Sequence, residues 1–209
     1  MRRPKRLPLD VLAPYLLELP DPPAPIEWSA VFGNDHPVEL EVGFGKGLFL
    51  ITSAQAYPGT NYVGVEIDRA LQLYVATRAA KRTLRNIRLV RADARLFVRT
   101  CVPLASLRAI HVYFPDPWWK KRHKKRRVFT EEFAAACAQA LEPGGRLHIA
   151  TDVEEYFGVM TQLVAAHTLL RPLPPPAHGM DYLTNFERKA RLAGQPVWRA
   201  SYVKDPPAG

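Results

Sequence analysis

Cysteine is nearly absent from this chain of 209 residues: Cys101 and Cys137 are the only two. That excludes a disulfide framework, and their spacing is not that of a metal-binding motif. Both thiols read as small core residues, and a reducing cytoplasm is the expected setting. No run approaches the ~20 apolar residues needed to cross a bilayer. The N-terminus, "MRRPKRLPLD", is basic but has no apolar stretch behind it, so no signal peptide is expected. There are no internal repeats and no low-complexity tracts beyond clusters of proline. One segment also lacks any acid. Lys120 to Arg127 hold seven Lys/Arg, and without them the formal net charge of +9 falls to +2. Charge gathered in that way suits a polyanionic partner, nucleic acid before an anionic membrane surface.

What is present is enough apolar material for one core: 47% of residues are hydrophobic and 23% charged. Residues 1–36 are proline-rich with little periodicity and read as an N-terminal arm, with one short helix near Val11 to Leu19. Residues 37–209 read as the functional domain. From Val38 onward strands and helices alternate. The strands are expected over 38–42, 61–66, 87–92, 107–114, 146–151 and 197–203. The helices are expected over 46–56, 69–84, 96–100, 130–141 and 154–169. Thr130 reads as the cap of its helix, with two acids in the first turn and Pro143-Gly144-Gly145 as its stop. "PLPPP" at 172–176 reads as a loop or rigid crossover. This order predicts an α/β fold, a mostly parallel sheet with helices on both faces.

The first strand runs into Glu41-Val42-Gly43-Phe44-Gly45-Lys46-Gly47. Glycines at that place let the backbone approach a ligand. Their spacing is one residue short of the dinucleotide fingerprint, and an acid precedes them. Acid-x-Gly-x-Gly is the pattern of S-adenosyl-L-methionine sites, where a cationic ligand takes the place of a pyrophosphate. Glu66 ends the second strand, where a carboxylate can accept ribose hydroxyls. Asp93-Ala94 follows the third, where Asp can meet an adenine amino group and Ala leaves room for the ring; a helix N-cap is the other role open to Asp93. Asp116 follows the fourth strand, framed by Pro115 and Pro117, which restrict the backbone on both sides of it. Trp118 and Trp119 can stack on a base or pair with nearby cations. The basic run beside them suits phosphates.

These residues together resemble the bacterial tRNA (guanine-N7)-methyltransferases. The motifs that carry the resemblance are Glu41-x-Gly43-x-Gly45-x-Gly47, Gly64-Val65-Glu66, Asp93-Ala94, Phe114-Pro115-Asp116-Pro117-Trp118 and His123 to Arg127, with Thr151-Asp152 and Thr184-Asn185-Phe186-Glu187 further on. The resemblance covers about residues 37–203. It implies a Rossmann-like class I methyltransferase with a seven-stranded sheet. The implied reaction is methyl transfer from S-adenosyl-L-methionine to N7 of a guanosine in the tRNA variable loop, position 46 in standard tRNA numbering. It further implies that Glu41, Gly43, Gly45, Glu66, Asp93, Ala94 and Asp116 hold the cofactor, with Asp116 also catalytic. Lys120, Asp152, Thr184, Asn185, Phe186 and Glu187 are implied to contact the substrate, and Arg122, His123, Lys124, Lys125, Arg126 and Arg127 to contact RNA. No metal is expected. Two other readings fit the same residues: a methyltransferase for another RNA base, or a non-catalytic RNA-binding protein on this fold. The sequence leaves both monomer and homodimer open.

Overall fold

The computed structural model describes residues 6–118, 121–174 and 184–206. Among the described residues eight strands form one sheet in the order β1-β4-β3-β2-β5-β6-β8-β7. The strands are β1 (Leu16–Leu17), β2 (Val38–Val42), β3 (Asn61–Glu66), β4 (Ile87–Arg91), β5 (Leu107–Tyr113), β6 (Leu141–Thr151), β7 (Arg171–Leu173) and β8 (Trp198–Val203). Strands β1 to β6 run parallel to their neighbours, while β8 is antiparallel to both β6 and β7.

Strand β2 shows why the sheet sorts its residues as it does. Successive side chains of a strand point to opposite faces. Val38, Leu40 and Val42 therefore enter the larger core with α2 (Trp28–Phe32), α5 (Ala94–Thr100), α6 (Glu131–Ala140) and α7 (Glu154–His167). Glu39 and Glu41 face the other side. There Tyr62, Ile87 and Leu89 meet α3 (Leu48–Ala56), α4 (Arg69–Ala80) and the short α1 (Leu9–Leu12) in a second core. The expected layers, a sheet with helices on both faces, are present.

Local chemistry sets the boundaries. Asp68 caps α4 by accepting the Ala70 and Leu71 N–H groups, and Thr130 caps α6 through the Phe133 N–H. Helix α4 stops at Ala80, four residues short of expectation. The Thr83 backbone enters the left-handed region there (φ 54°), and the Arg82 and Thr83 N–H groups turn back to the Ala79 and Ala80 carbonyls.

Two expectations need correction. Among the described residues the sheet has eight strands, not seven: Leu16–Leu17 add β1 alongside β4. Positions 172–173, read as loop, belong to edge strand β7, where a proline is tolerated. The described part of the N-terminal arm also packs into the domain. Leu12 and Tyr15 lie in one core, and Ile26, Trp28 and Phe32 in the other. The Trp28 indole donates to Ser106 Oγ at 3.1 Å. Residues 36 and 37 therefore mark no boundary of packing.

The chain builds outward from β2 through β3 to β4, then returns to place β5 on the other side of β2. Between β2 and β5 the connections diverge to opposite sides, which opens a crevice at the carboxyl ends of the strands. The glycine loop follows β2 and the Pro-Asp-Pro loop follows β5, so both chemical motifs meet at this switch point.

Candidate active site

A cavity of about 750 Å³ lies there. Gly43 and Gly45, Glu66, Asp93 and Ala94, and Asp116 all line it. Four successive strand ends thus deliver the expected residues to one wall. Ile67, Asp68, Leu71, Tyr113 and Trp118 line it as well. Ile67 is 69% exposed although apolar, and offers a surface a flat ring could cover.

Glu66 ties the rim together. Its Oε2 accepts the Gly45 N–H at 3.1 Å, and its Oε1 accepts the Ile67 and Asp68 N–H groups at 2.9 and 3.1 Å. Asp93 fills the capping role: it accepts the Arg95 N–H at 2.9 Å. It also takes two bonds from the Arg95 guanidinium, at 3.1 and 2.7 Å, and that contact holds its pKa below the ordinary carboxylate value. The Asp93 carboxylate is therefore shared between helix cap, Arg95 and cavity wall.

Glu41 stands apart from the expectation. It is 4% exposed and lies behind the glycine loop, not on the cavity wall. Burial pushes its pKa well above the usual range; the Leu50 N–H at the start of α3 opposes that shift, and the nearby Glu66 charge adds to it. Its Oε2 has no hydrogen-bond partner among the described residues. An unsatisfied buried acceptor beside a cavity is a place for a donor brought by a ligand. At Gly43 and Gly45 an added Cβ would meet nothing within 4 Å, and both residues have positive φ. The loop is held open where side chains would have intruded. An orphan acceptor, a glycine cradle and carboxylates on three successive strand ends fit a cationic, ribose-bearing ligand of the S-adenosyl-L-methionine kind.

Asp116 is exposed at the mouth of the cavity. The backbone around it is bent: Phe114 (φ 52°) and Trp118 (φ 44°) both sit in the left-handed region, which non-glycine residues enter at a cost of about 1–3 kcal/mol. The Phe114 N–H remains bonded to the Ala150 carbonyl at 2.7 Å, so β6 anchors the bend.

Residues Lys121–Arg126 form a 3₁₀ turn beside this loop. Arg122 and Arg126 are exposed and His123 is half-buried. The Arg126 guanidinium lies 5.1 Å from the Trp118 ring centre and the His123 ring meets the same indole edge-on at 5.7 Å. Trp118 is thus the cation–π partner of the basic turn. Arg127 departs from the expectation of an RNA contact: it is 8% exposed and turned inward. Trp119 and Lys120 lie outside the described residues, as do the side chains of Lys124 and Lys125. The charge is also less concentrated than the run suggests, because residues 69–92 carry another seven Lys/Arg and no acid.

The residues implied to touch substrate divide in two. Asp152 is exposed just past the end of β6. Thr184 and Glu187 are buried: Thr184 Oγ1 accepts the Glu187 N–H at 3.1 Å at the start of α8 (Asn185–Leu192), and the Glu187 carboxylate pairs with Arg199 on β8. Thr184 thus caps α8, and Glu187 ties it to the sheet. The signal was in the sequence, since Thr-x-x-Glu before a helix is a capping box. The side chains of Asn185 and Phe186 lie outside the described residues. Among the described residues no group of His, Cys, Asp or Glu is placed to hold a metal, and no helix is long and apolar enough to cross a membrane.

Known proteins resemble this chain in sequence and in fold. Residues 35–200 match a family described as putative methyltransferase. A tRNA (guanine-N(7)-)-methyltransferase of Rhodopirellula baltica is 45% identical over 195 residues, which is 88% of this chain and 72% of that protein. The chain belongs to the tRNA (guanine-N(7)-)-methyltransferase family. Another family member, from Methylococcus capsulatus, is 37% identical over 87% of this chain and 81% of its own length. Among solved structures, the 16S rRNA methyltransferase KamB matches with a TM-score of 0.64 at 18% identity, over 91% of this chain and 96% of that one. The aminoglycoside resistance methyltransferase NpmB1 gives 0.63, also at 18%, over 90% and 95%. These two share the class I methyltransferase fold with the family.

Proposed function

We propose that this protein transfers the methyl group of S-adenosyl-L-methionine to N7 of a guanosine in tRNA, the target being position 46 of the variable loop. The observation that carries the reading is the meeting of Gly43, Gly45, Glu66, Asp93 and Asp116 around one cavity, with the basic turn on its lip. Family membership supports the base and the RNA class.

S-adenosyl-L-methionine, when bound, supplies a methyl group activated by its sulfonium. The chain's residues bind and orient. Glu66 uses three of its roughly four acceptor sites on backbone N–H groups, so taking both ribose hydroxyls requires one of these bonds to open. Asp93 and Ala94 would meet the adenine, and Arg95 would then share Asp93 with it. Glu41 takes a donor at its orphan oxygen, and a positive charge on the ligand would favour its ionised form against the burial that raises its pKa.

Asp116 acts on the other reactant. Guanine N7 offers a lone pair and carries no proton. As the new N–C bond forms and the S–C bond breaks, nothing has to be deprotonated, so Asp116 is no general base. Its carboxylate accepts from the N1–H and N2–H₂ edge of guanine and stabilises the positive charge that arrives on the purine. Most of the rate comes from holding two reactants in line. Arg122 and Arg126, exposed beside the cavity, meet the phosphates that flank the base.

The direct test incubates the protein with labelled S-adenosyl-L-methionine and unmodified tRNA, then maps the product by cleavage at 7-methylguanosine. Label at the variable-loop guanosine is the expected result; label elsewhere, or none, defeats the assignment. Asp116→Ala should abolish transfer while circular dichroism shows the protein still folded. A folded Asp116→Ala protein with full activity would remove Asp116 from the mechanism.

A further inference from the structure

Arg126 and Arg127 are adjacent and chemically identical, yet they occupy opposite surroundings. Arg126 is exposed over Trp118. Arg127 is buried, with its Nε donating to the Pro117 carbonyl at 2.7 Å and its guanidinium 4.8 Å from the ring centre of Tyr156. Tyr156 is itself fully buried in the first turn of α7. One side chain therefore joins three segments: the end of the basic turn, the loop after β5, and α7.

The bond lands on a telling atom. Pro117 is the residue after Asp116. Prolines 115 and 117 fix their own φ angles, but they do not fix the ψ angle of Pro117 or the tilt of the loop as a whole. A bond to the Pro117 carbonyl fixes that peptide plane. A buried guanidinium is costly to desolvate, and its planar fork is the group that can bond a carbonyl and stack on a ring together.

We propose that Arg127 is a positioning residue for methyl transfer and not a phosphate contact: it staples the basic turn to the Asp116 loop, so that the segment gripping RNA and the segment presenting the carboxylate move as one body. The inference rests on the function proposed above. It makes the end of the basic run a coupling device: RNA drawn onto Arg122 and Arg126 would settle the same loop that orients the target base.

The test compares Arg127→Ala, Arg127→Lys and Arg126→Ala in the full chain, by steady-state kinetics on tRNA at several salt concentrations and by hydrogen–deuterium exchange over residues 112–118. In Arg127→Ala, kcat should fall roughly 10- to 100-fold, as expected for a misplaced reacting group. The salt dependence of tRNA binding should stay as in the wild type. The amides of Phe114, Asp116 and Trp118 should exchange faster, with α6 unchanged. Arg127→Lys should recover part of the loss, since an ammonium reaches the carbonyl but lacks the stacking plane. Arg126→Ala should instead make the slope of log K against log salt shallower by about 0.7–1, the share of one phosphate contact. A flattened salt slope in Arg127→Ala, with kcat and loop exchange unchanged, overturns the proposal in favour of a phosphate contact. Should Arg127→Ala unfold, Arg127→Lys and Tyr156→Leu carry the same comparison. Should the wild type transfer no methyl to tRNA, the functional reading fails, while the exchange experiment still decides whether Arg127 holds the loop.

Discussion

Glu41 and Asp116 end neighbouring strands and carry the same functional group, but burial gives them different work. Glu41 lies in the protein with one oxygen unsatisfied, and burial shifts its pKa well above the usual range, toward the neutral form. Replacing it with glutamine keeps the shape and removes only the capacity to ionise. Glu41→Gln should therefore unfold at a temperature close to that of the wild type without cofactor. Its affinity for S-adenosyl-L-methionine, measured by calorimetry, should drop about tenfold or more, since a hydrogen bond to a charged group contributes ~1.5–3 kcal/mol. Unchanged affinity would show that the orphan oxygen has no part in cofactor binding. Residue types and strand-end spacing made Glu66, Asp93 and Asp116 legible, because ligands gather at the carboxyl ends of strands. Direction was not legible. Arg127 and Glu187 look like surface charges in the sequence, yet each points inward, to Pro117 and to Arg199. The one local hint for Arg127 is that Val128 and Phe129 follow it, the latter buried in the core.

At the scale of elements, the glycine loop joins two demands that substitution can separate. Gly47 precedes α3 with φ 62°, and a Cβ there would lie 2.6 Å from Val75 on α4. Gly43 has φ 70° and open space around it. Gly47→Ala should therefore cost about 1–3 kcal/mol of folding stability through overpacking, on top of the backbone strain. Gly43→Ala should cost only the strain, roughly 1–2 kcal/mol, yet its methyl would project from the wall of the cofactor cavity. Urea unfolding should rank Gly47→Ala below Gly43→Ala in stability, and calorimetry should find cofactor binding weakened in the more stable variant as well. Equal stabilities would refute the packing argument. The longer strands β2 to β5 and the helices between them announced themselves through alternation. Strands β1 and β7 did not, because two or three residues give no period to read and Pro172 argues against a strand. Their pairing is decided by partners distant in sequence: Leu16 lies opposite Leu89, and Pro172 opposite Tyr202.

Over the whole molecule, the second face of the sheet holds a polar chain that no local pattern forecasts, since its members come from four strands. Glu39 on β2 accepts from Arg108 at 2.6 Å and contacts His111 at 3.0 Å, both on β5. His111 bonds the Tyr113 hydroxyl at 2.9 Å and stacks on His148 of β6, which bonds Ser201 of β8 at 2.8 Å. Burial and the neighbouring His111 push the His148 pKa from 6.5 down to about 3, opposed by Glu39; Arg146 adds to the depression. Burial alone would raise the Glu39 pKa, but His111 and Arg108 together take it from 4.5 down to about 2. The two shifts act with the same sign. Below pH 6.5 the unfolded chain protonates its histidine while the folded one does not, and below 4.5 the same holds for the glutamate, so the unfolded state gains protons first. Stability present at neutral pH should accordingly decline as pH falls from about 6.5 to about 3 through His148, and from about 4.5 to about 2 through Glu39. His148→Gln removes the first component. Thermal unfolding of the wild type and of His148→Gln across pH 7 to 4 should give a shallower acid decline in the variant. Parallel curves would mean that His148 is free to take up its proton in the folded protein.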